Sequence, residues 1–153
     1  MGAFADAVNE RLRERLQSSA PGVEWTTEHD VAGTPVDVVG TREGEVVCVE
    51  LEWRRADPAD NTAKLFRHLV EGSLDAECVR VYQLFTGYYD LASGGVSSKR
   101  LNAEFVGRVA ARTVPELTYE PLDLPIDPPK RGGDRPPDWE AAVDAVGERL
   151  ANP

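Results

Sequence analysis

The chain is poor in lysine, in cysteine and in long apolar runs, and each shortage excludes a class of protein. No stretch of about 18 apolar residues is present, and residues 1–17 alternate charged and apolar groups without a secretory signal. This pattern predicts a soluble cytoplasmic protein with no membrane contact. The two cysteines, Cys48 and Cys78, lie in apolar strand-like runs without CxxC or HxxxH spacing. Two buried free thiols are therefore expected in place of a disulfide or a zinc site.

The charge balance is strongly acidic. The chain has 27 Asp and Glu residues against 17 Lys and Arg, a net charge of -10, and only three of the basic residues are lysines. This composition resembles that of haloarchaeal (halophilic) cytosolic proteins, whose carboxylates keep the surface hydrated in concentrated salt; an ordinary acidic bacterial protein is the alternative. In both cases any contact with nucleic acid is expected to be local, because non-specific binding needs Lys and Arg to neutralise phosphates.

Hydrophobic periodicity predicts one α/β domain over residues 1–120. The predicted order is a helix at 3–17, strands at 23–28, 36–39 and 46–54, a helix at 58–71, a strand at 78–85, a helix at 99–113 and a short strand at 117–119. Asp57 and Pro58 are typical signals for the start of the second helix. The turn around 42–44 predicts an antiparallel hairpin between the second and third strands.

The C-terminal part of the sequence divides into a linker and a helix. Residues 121–137 hold six of the eleven prolines and a Gly-Gly pair, which predicts a Pro/Gly-rich linker. Residues 138–153 carry the apolar spacing of an amphipathic helix, with Asp138 as its cap. The apolar face of that helix either docks on the core of the chain or serves as an arm for a protein partner or a homodimer, and we favour docking.

Three carboxylates stand out on the predicted second and third strands. Glu50 and Glu52 point to one face of their strand because side chains alternate. Two acids about 6.5–7 Å apart in an apolar segment are costly unless a cation, a water or a base lies between them. Asp37 is the lone acid between Val36 and Val38 on the facing strand. If the hairpin pairs as its turn suggests, the three acids converge on one hard divalent ion.

These residues and the order of elements resemble the PD-(D/E)XK nuclease superfamily, also called restriction endonuclease-like. Its members have an αβββαβ core with a mixed central sheet flanked by helices, an Asp on the second strand and (D/E)-x-K on the third. Here Thr34-Pro35-Val36-Asp37 and Glu50-Leu51-Glu52 stand in those places, and the resemblance covers roughly residues 3–90. Glu52 replaces the usual Lys, and Lys64 on the following helix is a candidate for a migrated lysine.

The resemblance implies a metal-dependent endonuclease that hydrolyses phosphodiester bonds in DNA with Mg²⁺ or Mn²⁺. Asp37 and Glu50 would bind the metal, and Glu52 would bind a second metal or orient the attacking water. Lys64 would pair with the scissile phosphate or with the water. The alternative function is a catalytically inactive module of the same fold that binds protein or nucleic acid, because the third-strand lysine is missing and the net charge is -10.

Other residues near the predicted site have both functional and structural interpretations. The candidates for substrate contact are Arg54, Arg67 and His68, and Arg55, Lys99 and Arg100 are further local positive groups that could contact a substrate. Glu50 and Glu52 would instead face solvent if their strand were an edge strand, paired with Arg42 and Arg54. Lys64 and His68 would then form an ordinary solvated helix face. Glu28 on the first strand is an outside candidate for the site.

Overall fold

The chain folds as an α/β protein with a mixed, open sheet of five strands flanked by four helices. A computed structural model describes residues 2–72 and 74–153. The strands are β1 (Glu24–Val31), β2 (Thr34–Arg42), β3 (Glu45–Glu52), β4 (Cys78–Phe85) and β5 (Leu117–Asp123), and the helices are α1 (Ala3–Ser19), α2 (Pro58–Glu71), α3 (Ser98–Thr113) and α4 (Trp139–Ala151). The predicted α/β class, with a mixed sheet flanked by helices, and the predicted order of elements are confirmed.

The strands lie across the sheet in the order of the sequence. β1, β2 and β3 pair antiparallel through short turns, whereas β4 lies parallel to β3 and β5 parallel to β4. Parallel neighbours need a crossover connection, which α2 and α3 provide. The side chain of Asp57 caps α2 by accepting a hydrogen bond from the N–H of Asp60, 3.2 Å. None of the helices in the described part of the chain is long and apolar enough to cross a membrane.

β3 sends its side chains into two different cores, as its alternation predicts. Val47, Val49 and Leu51 pack with α1 and α4 on one face of the sheet, and Cys48 packs beneath α2 on the other. Glu50 and Glu52 follow Cys48 on the α2 face, where they are 8% and 0% exposed. Because β3 is a central strand, the interpretation of these acids as a solvated edge is wrong. Both cysteines are free, Cys48 buried and Cys78 half-buried.

The segment after α3 contains more regular structure than a linker. β5 runs through Pro121 to Asp123, and a proline is tolerated there because β5 is an edge strand. Leu124 and Ile126 are each 1% exposed in the core shared with α1. The N–H of Leu124 donates to the carbonyl of Phe85, which ties this stretch to β4. The first six residues of the predicted linker are therefore packed on the domain.

α4 lies on α1 and buries its apolar face in the core of the chain. Its buried residues are Val143, Val146, Gly147 and Leu150. Gly147 permits the close approach, since a Cβ at this position would lie 2.8 Å from Cγ of Arg15. Arg11 adds an ion pair to Asp144 at 2.7 Å, and Arg15 pairs with Glu148. Asp138 occupies the position before the helix, but its side chain makes no capping hydrogen bond.

α3 turns its apolar stripe to solvent. Leu101, Phe105 and Val109 predict the helix correctly, yet they are 52%, 67% and 40% exposed. The packed face instead consists of Arg100, Ala103, Glu104 and Gly107. Arg100 lies over the ring of Phe85 at 4.7 Å and pairs with Asp123 at 2.5 Å. These polar and small residues orient the helix, and the hydrophobic residues do not.

Candidate active site

The hairpin of β2 and β3 opens at two of the predicted acids. Its ladder runs from Arg42 opposite Glu45 to Val38 opposite Val49, and the next pair in this register is Asp37 opposite Glu50. There the side chain of Asp37 replaces a main-chain acceptor, because its Oδ2 accepts a hydrogen bond from the N–H of Leu51 at 2.8 Å. Asp37 and Glu50 therefore stand side by side where the strands separate.

The pKa values of both carboxyl groups are raised, in each case chiefly by burial. Burial raises the pKa of Asp37, and the N–H of Leu51 offsets part of the rise. Burial raises the pKa of Glu50 well above its ordinary value, and the neighbouring charges of Asp37 and Glu52 raise it further. Two adjacent carboxylates in a low dielectric are not both charged without compensation. Both shifts therefore favour a proton or a cation on the pair.

Asp37 and Glu50 line a cavity of about 420 Å³ together with residues of β1, β2 and α2. Its positive groups are Lys64 and Arg55, and the amide of Asn61 also borders it. The amide of Asn61 lowers the pKa of Glu50 in part, and both residues line the cavity. Three of the four predicted catalytic residues are thus brought to one cavity, including the lysine on α2.

Glu52 lies behind this cavity and does not line it. Its Oε1 accepts hydrogen bonds from Nδ2 of Asn61 at 2.7 Å and from Nε2 of Gln83 at 2.9 Å. Its Oε2 has no hydrogen-bond partner, and Nε of Arg55 lies 3.4 Å away. Burial raises the pKa of Glu52, and the two amides lower it in part. Glu52 is thus placed to anchor Asn61 and Arg55, not to face a substrate.

The side-chain amide of Gln83, which donates to Glu52, is itself fixed by a buried hydrogen-bond network. Nε2 of Gln83 also donates to Oγ1 of Thr62 at 2.8 Å, and the hydroxyl of Tyr119 donates to Oε1 of Gln83 at 2.6 Å. Glu52, Gln83 and Thr62 are all buried. Because buried polar groups are costly without partners, this network locks the Glu52 side chain in its present orientation.

The donor set fits a metal site built on two carboxylates and not on three. Within residues 2–72 and 74–153, no three His, Cys, Asp or Glu side chains stand close enough to hold one ion. Asp37 and Glu50 do face each other, and Mg²⁺ is commonly bound through one or two carboxylates with water and substrate oxygens completing its shell. The structure does not bring Glu52 to that set, although the sequence predicted it as a ligand.

The three candidates for substrate contact lie outside the cavity. β3 ends at Glu52, two residues earlier than predicted, so alternation does not extend to Arg54. Arg54 lies over the ring of Tyr88 at 5.4 Å. Arg67 faces Glu71 on the surface of α2 at 3.8 Å. Nδ1 of His68 lies 3.2 Å from the carbonyl oxygen of Ala32, at the turn between β1 and β2.

Among the positive groups that the sequence offered for substrate contact, Arg55 lines the cavity. The hydroxyl of Tyr89 accepts from its N–H at 2.8 Å and donates to its carbonyl at 3.0 Å. This clamp fixes the backbone just after β3 and turns Arg55 toward the cavity that Arg54 was expected to reach. The partner lies 34 positions along the chain, so no local pattern signals it.

Glu28 also borders the cavity, in an unusual backbone conformation. Its φ is 51°, a left-handed conformation that costs a non-glycine residue roughly 1–2 kcal/mol. The ladder of β1 and β2 skips it, since Thr27 pairs with Val38 and His29 with Val36. In this register Glu28 stands opposite Asp37, and its exposed side chain borders the cavity. Such strain concentrates at functional sites, which strengthens Glu28 as an outside candidate.

No protein family, curated protein or solved structure compared with the chain matches it. The case for a function therefore depends on the geometry of the cavity and on the charges around it.

Proposed function

We propose that this protein is a metal-dependent phosphodiesterase with a restriction endonuclease-like fold that hydrolyses DNA at the Asp37–Glu50 pair. One observation carries the proposal: the half-buried carboxylate of Asp37 and the buried carboxylate of Glu50 meet where β2 and β3 separate, and Lys64 lines the same cavity. The helix, three-strand, helix, strand order of α1 to β4 supports the same fold. A site of this kind needs acids for a divalent ion and a cation for the phosphate.

Each cavity residue has a role in this proposal. Asp37 and Glu50 would hold Mg²⁺ or Mn²⁺, which when bound polarises a phosphoryl oxygen and lowers the pKa of a bound water. Lys64 donates to a non-bridging oxygen of the scissile phosphate and offsets its charge. Asn61, held by Glu52, keeps the Glu50 carboxylate oriented. Arg55 neutralises a neighbouring phosphate.

A module that binds nucleic acid without cutting it is the second candidate. Glu52 occupies the position of the usual third-strand lysine and is fully buried away from the cavity. In that function the carboxylate pair would keep its shared proton, and Lys64 and Arg55 would bind phosphate without a metal. The two candidates predict the same DNA binding and opposite results in a cleavage assay.

Cleavage of plasmid and branched DNA, measured with Mg²⁺ or Mn²⁺ over a range of KCl concentrations, tests the proposal. We expect Glu50→Gln to lower the rate at least about 1000-fold, equivalent to roughly 4 kcal/mol of transition-state stabilisation. Lys64→Gln should lower it about 100-fold. Glu24→Gln, an exposed acid at the far end of β1, is the matched control and should cut as the wild type does.

The same experiment separates the two candidates. Wild-type protein that binds DNA but releases no product with either metal would identify the binding module. Cleavage that persists in Glu50→Gln would show that the carboxylate pair is not the catalytic site.

A further inference from the structure

A second cavity, away from the carboxylates, is lined by basic residues. It has a volume of about 690 Å³ and lies between the start of α1, the end of β3 and the segment 129–135. Its charged lining residues are Arg54, Lys130, Arg131 and Arg135, and its lining includes no Asp or Glu. We call this cavity the basic basin. The chain has a net charge of -10, so a cavity whose charged lining residues are all positive is the opposite of what its composition would give.

The four cations of the basic basin have no acidic partners. Most arginines elsewhere do, and Arg11 and Arg149 each have a carboxylate oxygen at 2.7 Å or closer. Among the described residues, no carboxylate lies within 4.0 Å of the four charged groups. Aromatic rings hold two of them instead: Arg54 lies over Tyr88, and Arg135 lies 4.9 Å from the ring of Phe4. A guanidinium stacked on a ring keeps its N–H groups free for an anion.

The loop that carries three of the cations is held at both ends and has a defined turn. Ile126 is buried in the core before it, and Trp139 begins α4 after it. The N–H of Gly133 donates to the carbonyl of Lys130 at 2.7 Å, and Gly132 has a φ of 81°. A Cβ on Gly133 would lie 2.9 Å from that carbonyl oxygen. The two glycines therefore permit the turn that places Lys130 and Arg131 at the basin.

The start of α1 adds further donors to the same wall. Gly2 to Ala5 line the basin, and Gly2 provides no side chain to cap the helix. The first N–H groups of a helix lack partners within the helix and carry partial positive charge. The 17-residue α1 therefore directs its positive end toward the four cations, which is an arrangement suited to phosphate.

The basic basin is connected to the Asp37–Glu50 cavity by shared residues. Arg54 lines both the basin and a groove of about 270 Å³. Arg55 lines that groove and also the cavity of the carboxylate pair. A row of cations thus runs from Lys130 through Arg54 and Arg55 to Lys64.

We propose that the basic basin binds the backbone phosphates of a nucleic-acid strand that continues along this row of cations to the Asp37–Glu50 pair. The path to the pair rests on the proposed function, whereas phosphate binding at the basin does not. Local binding of this kind accounts for nucleic-acid contact by a chain whose overall charge opposes it, because phosphates are neutralised by nearby Lys and Arg and not by net charge.

Two matched double variants test this proposal. Lys130→Gln/Arg131→Gln removes two cations of the basin, and Lys99→Gln/Arg112→Gln removes the same residue types from the exposed surface of α3. Both are made in an Asp37→Asn/Glu50→Gln background without divalent metal, so that the strand is bound but not cut. Anisotropy of a labelled 20-nucleotide single-stranded DNA gives Kd as a function of KCl concentration, and circular dichroism under each condition verifies the fold.

We expect the basin variant to bind about tenfold more weakly at 150 mM KCl, with a slope of log K against log salt reduced by about 1.4 for two lost phosphate contacts. The α3 variant should stay within about twofold of the background protein. Equal weakening by both double variants would overturn the proposal, because it would reflect net charge alone. Displacement of the DNA by inorganic pyrophosphate at equal phosphate concentration would assign the basin to a small phosphate compound and would also overturn it.

The outcomes distinguish the basin from the proposed hydrolysis. Selective loss of DNA binding in the basin variant, together with no cleavage by wild-type protein, would support the basin and refute the phosphodiesterase. Cleavage by the wild-type protein, together with unchanged DNA affinity in the basin variant, would refute the basin alone.

Discussion

Replacing Glu50 by Gln is expected to stabilise the metal-free protein at neutral pH. In the wild type, burial and the Asp37 charge raise the pKa of Glu50 well above 4.5, so the folded pair retains a proton that the unfolded chain releases. A raised pKa stabilises the fold fully below the unfolded value, and the stabilisation is lost as the pH rises through the folded value. One extra bound proton gives a slope of about -1.4 kcal/mol per pH unit.

The size of the effect follows from that slope. Between pH 5 and 7 the wild type should lose up to about 2.7 kcal/mol relative to Glu50→Gln if the proton is held throughout, which corresponds to roughly 5–10 °C in Tm for a chain of this length. Contributions from titrating groups away from Glu50 cancel because both proteins share them, so the difference reports the Asp37–Glu50 pair as a unit. Thermal unfolding in EDTA at half-unit pH steps measures the difference, with the exposed Glu24→Gln as the control.

Divalent metal should make the wild type more stable than Glu50→Gln. A cation replaces the shared proton, so Mn²⁺ should raise the Tm of the wild type at pH 7 by mass action and leave Glu50→Gln unchanged. Parallel pH profiles of the two proteins from pH 4.5 to 7 would refute the reasoning, since they would show that the pair takes up no proton on folding.

Two further substitutions test the backbone and packing described above. Glu28→Gly should raise the free energy of unfolding in urea by about 0.5–1 kcal/mol, which is the left-handed penalty of Glu less the entropic cost of Gly. Glu28→Gln keeps the same penalty and should not change the free energy of unfolding. Equal stabilities of the two variants would argue against strain. Gly107→Ala should destabilise by about 1–3 kcal/mol, because its Cβ would lie 2.4 Å from the ring of Tyr119, whose hydroxyl is held by Gln83. The exposed Val109→Ala should change stability by less than about 0.5 kcal/mol, and a similar loss in both variants would contradict this packing.

Alternation along a single strand was sufficient to predict much of the site. Val47, Val49 and Leu51 pack in the apolar core on one face of β3, so alternation places Glu50 and Glu52 on the opposite face. The turn at 42–44 sets the register of the hairpin, which brings Asp37 opposite Glu50. The position of Lys64 on α2 could be predicted because the signal at Asp57 marks where that helix begins. These are local or near-local relations, which sequence patterns encode directly.

The residues that sequence misplaced are those positioned by distant partners. Glu52 shares a face with Glu50, but the amide of Gln83 on β4 holds it behind the cavity. Which of Arg54 and Arg55 lines the cavity depends on where β3 ends. There Oγ1 of Thr86 donates to the carbonyl of Trp53 at 2.6 Å. Strand ends and amide contacts of this kind arise from tertiary packing, so periodicity does not reveal them.

The same limit explains the orientation of α3. Periodicity finds a helix from Leu101, Phe105 and Val109, and an apolar stripe is normally the packed face. Here the small Gly107 meets Tyr119 and Arg100 reaches Asp123, and these contacts rotate the stripe outward. A helix was predictable from its period, whereas its orientation depended on two partners in β5.

The hydrogen bond from Leu51 to Asp37 makes one acid of the pair a structural residue as well. An Asn at position 37 keeps an acceptor for that N–H, whereas Ala leaves it without one. On the proposed function, a lineage that lost hydrolysis would be free to change Glu50 early and would still retain Asp or Asn at position 37. The loss of the proposed activity would then be visible on β3 first, and β2 would keep its residue of the site for longer.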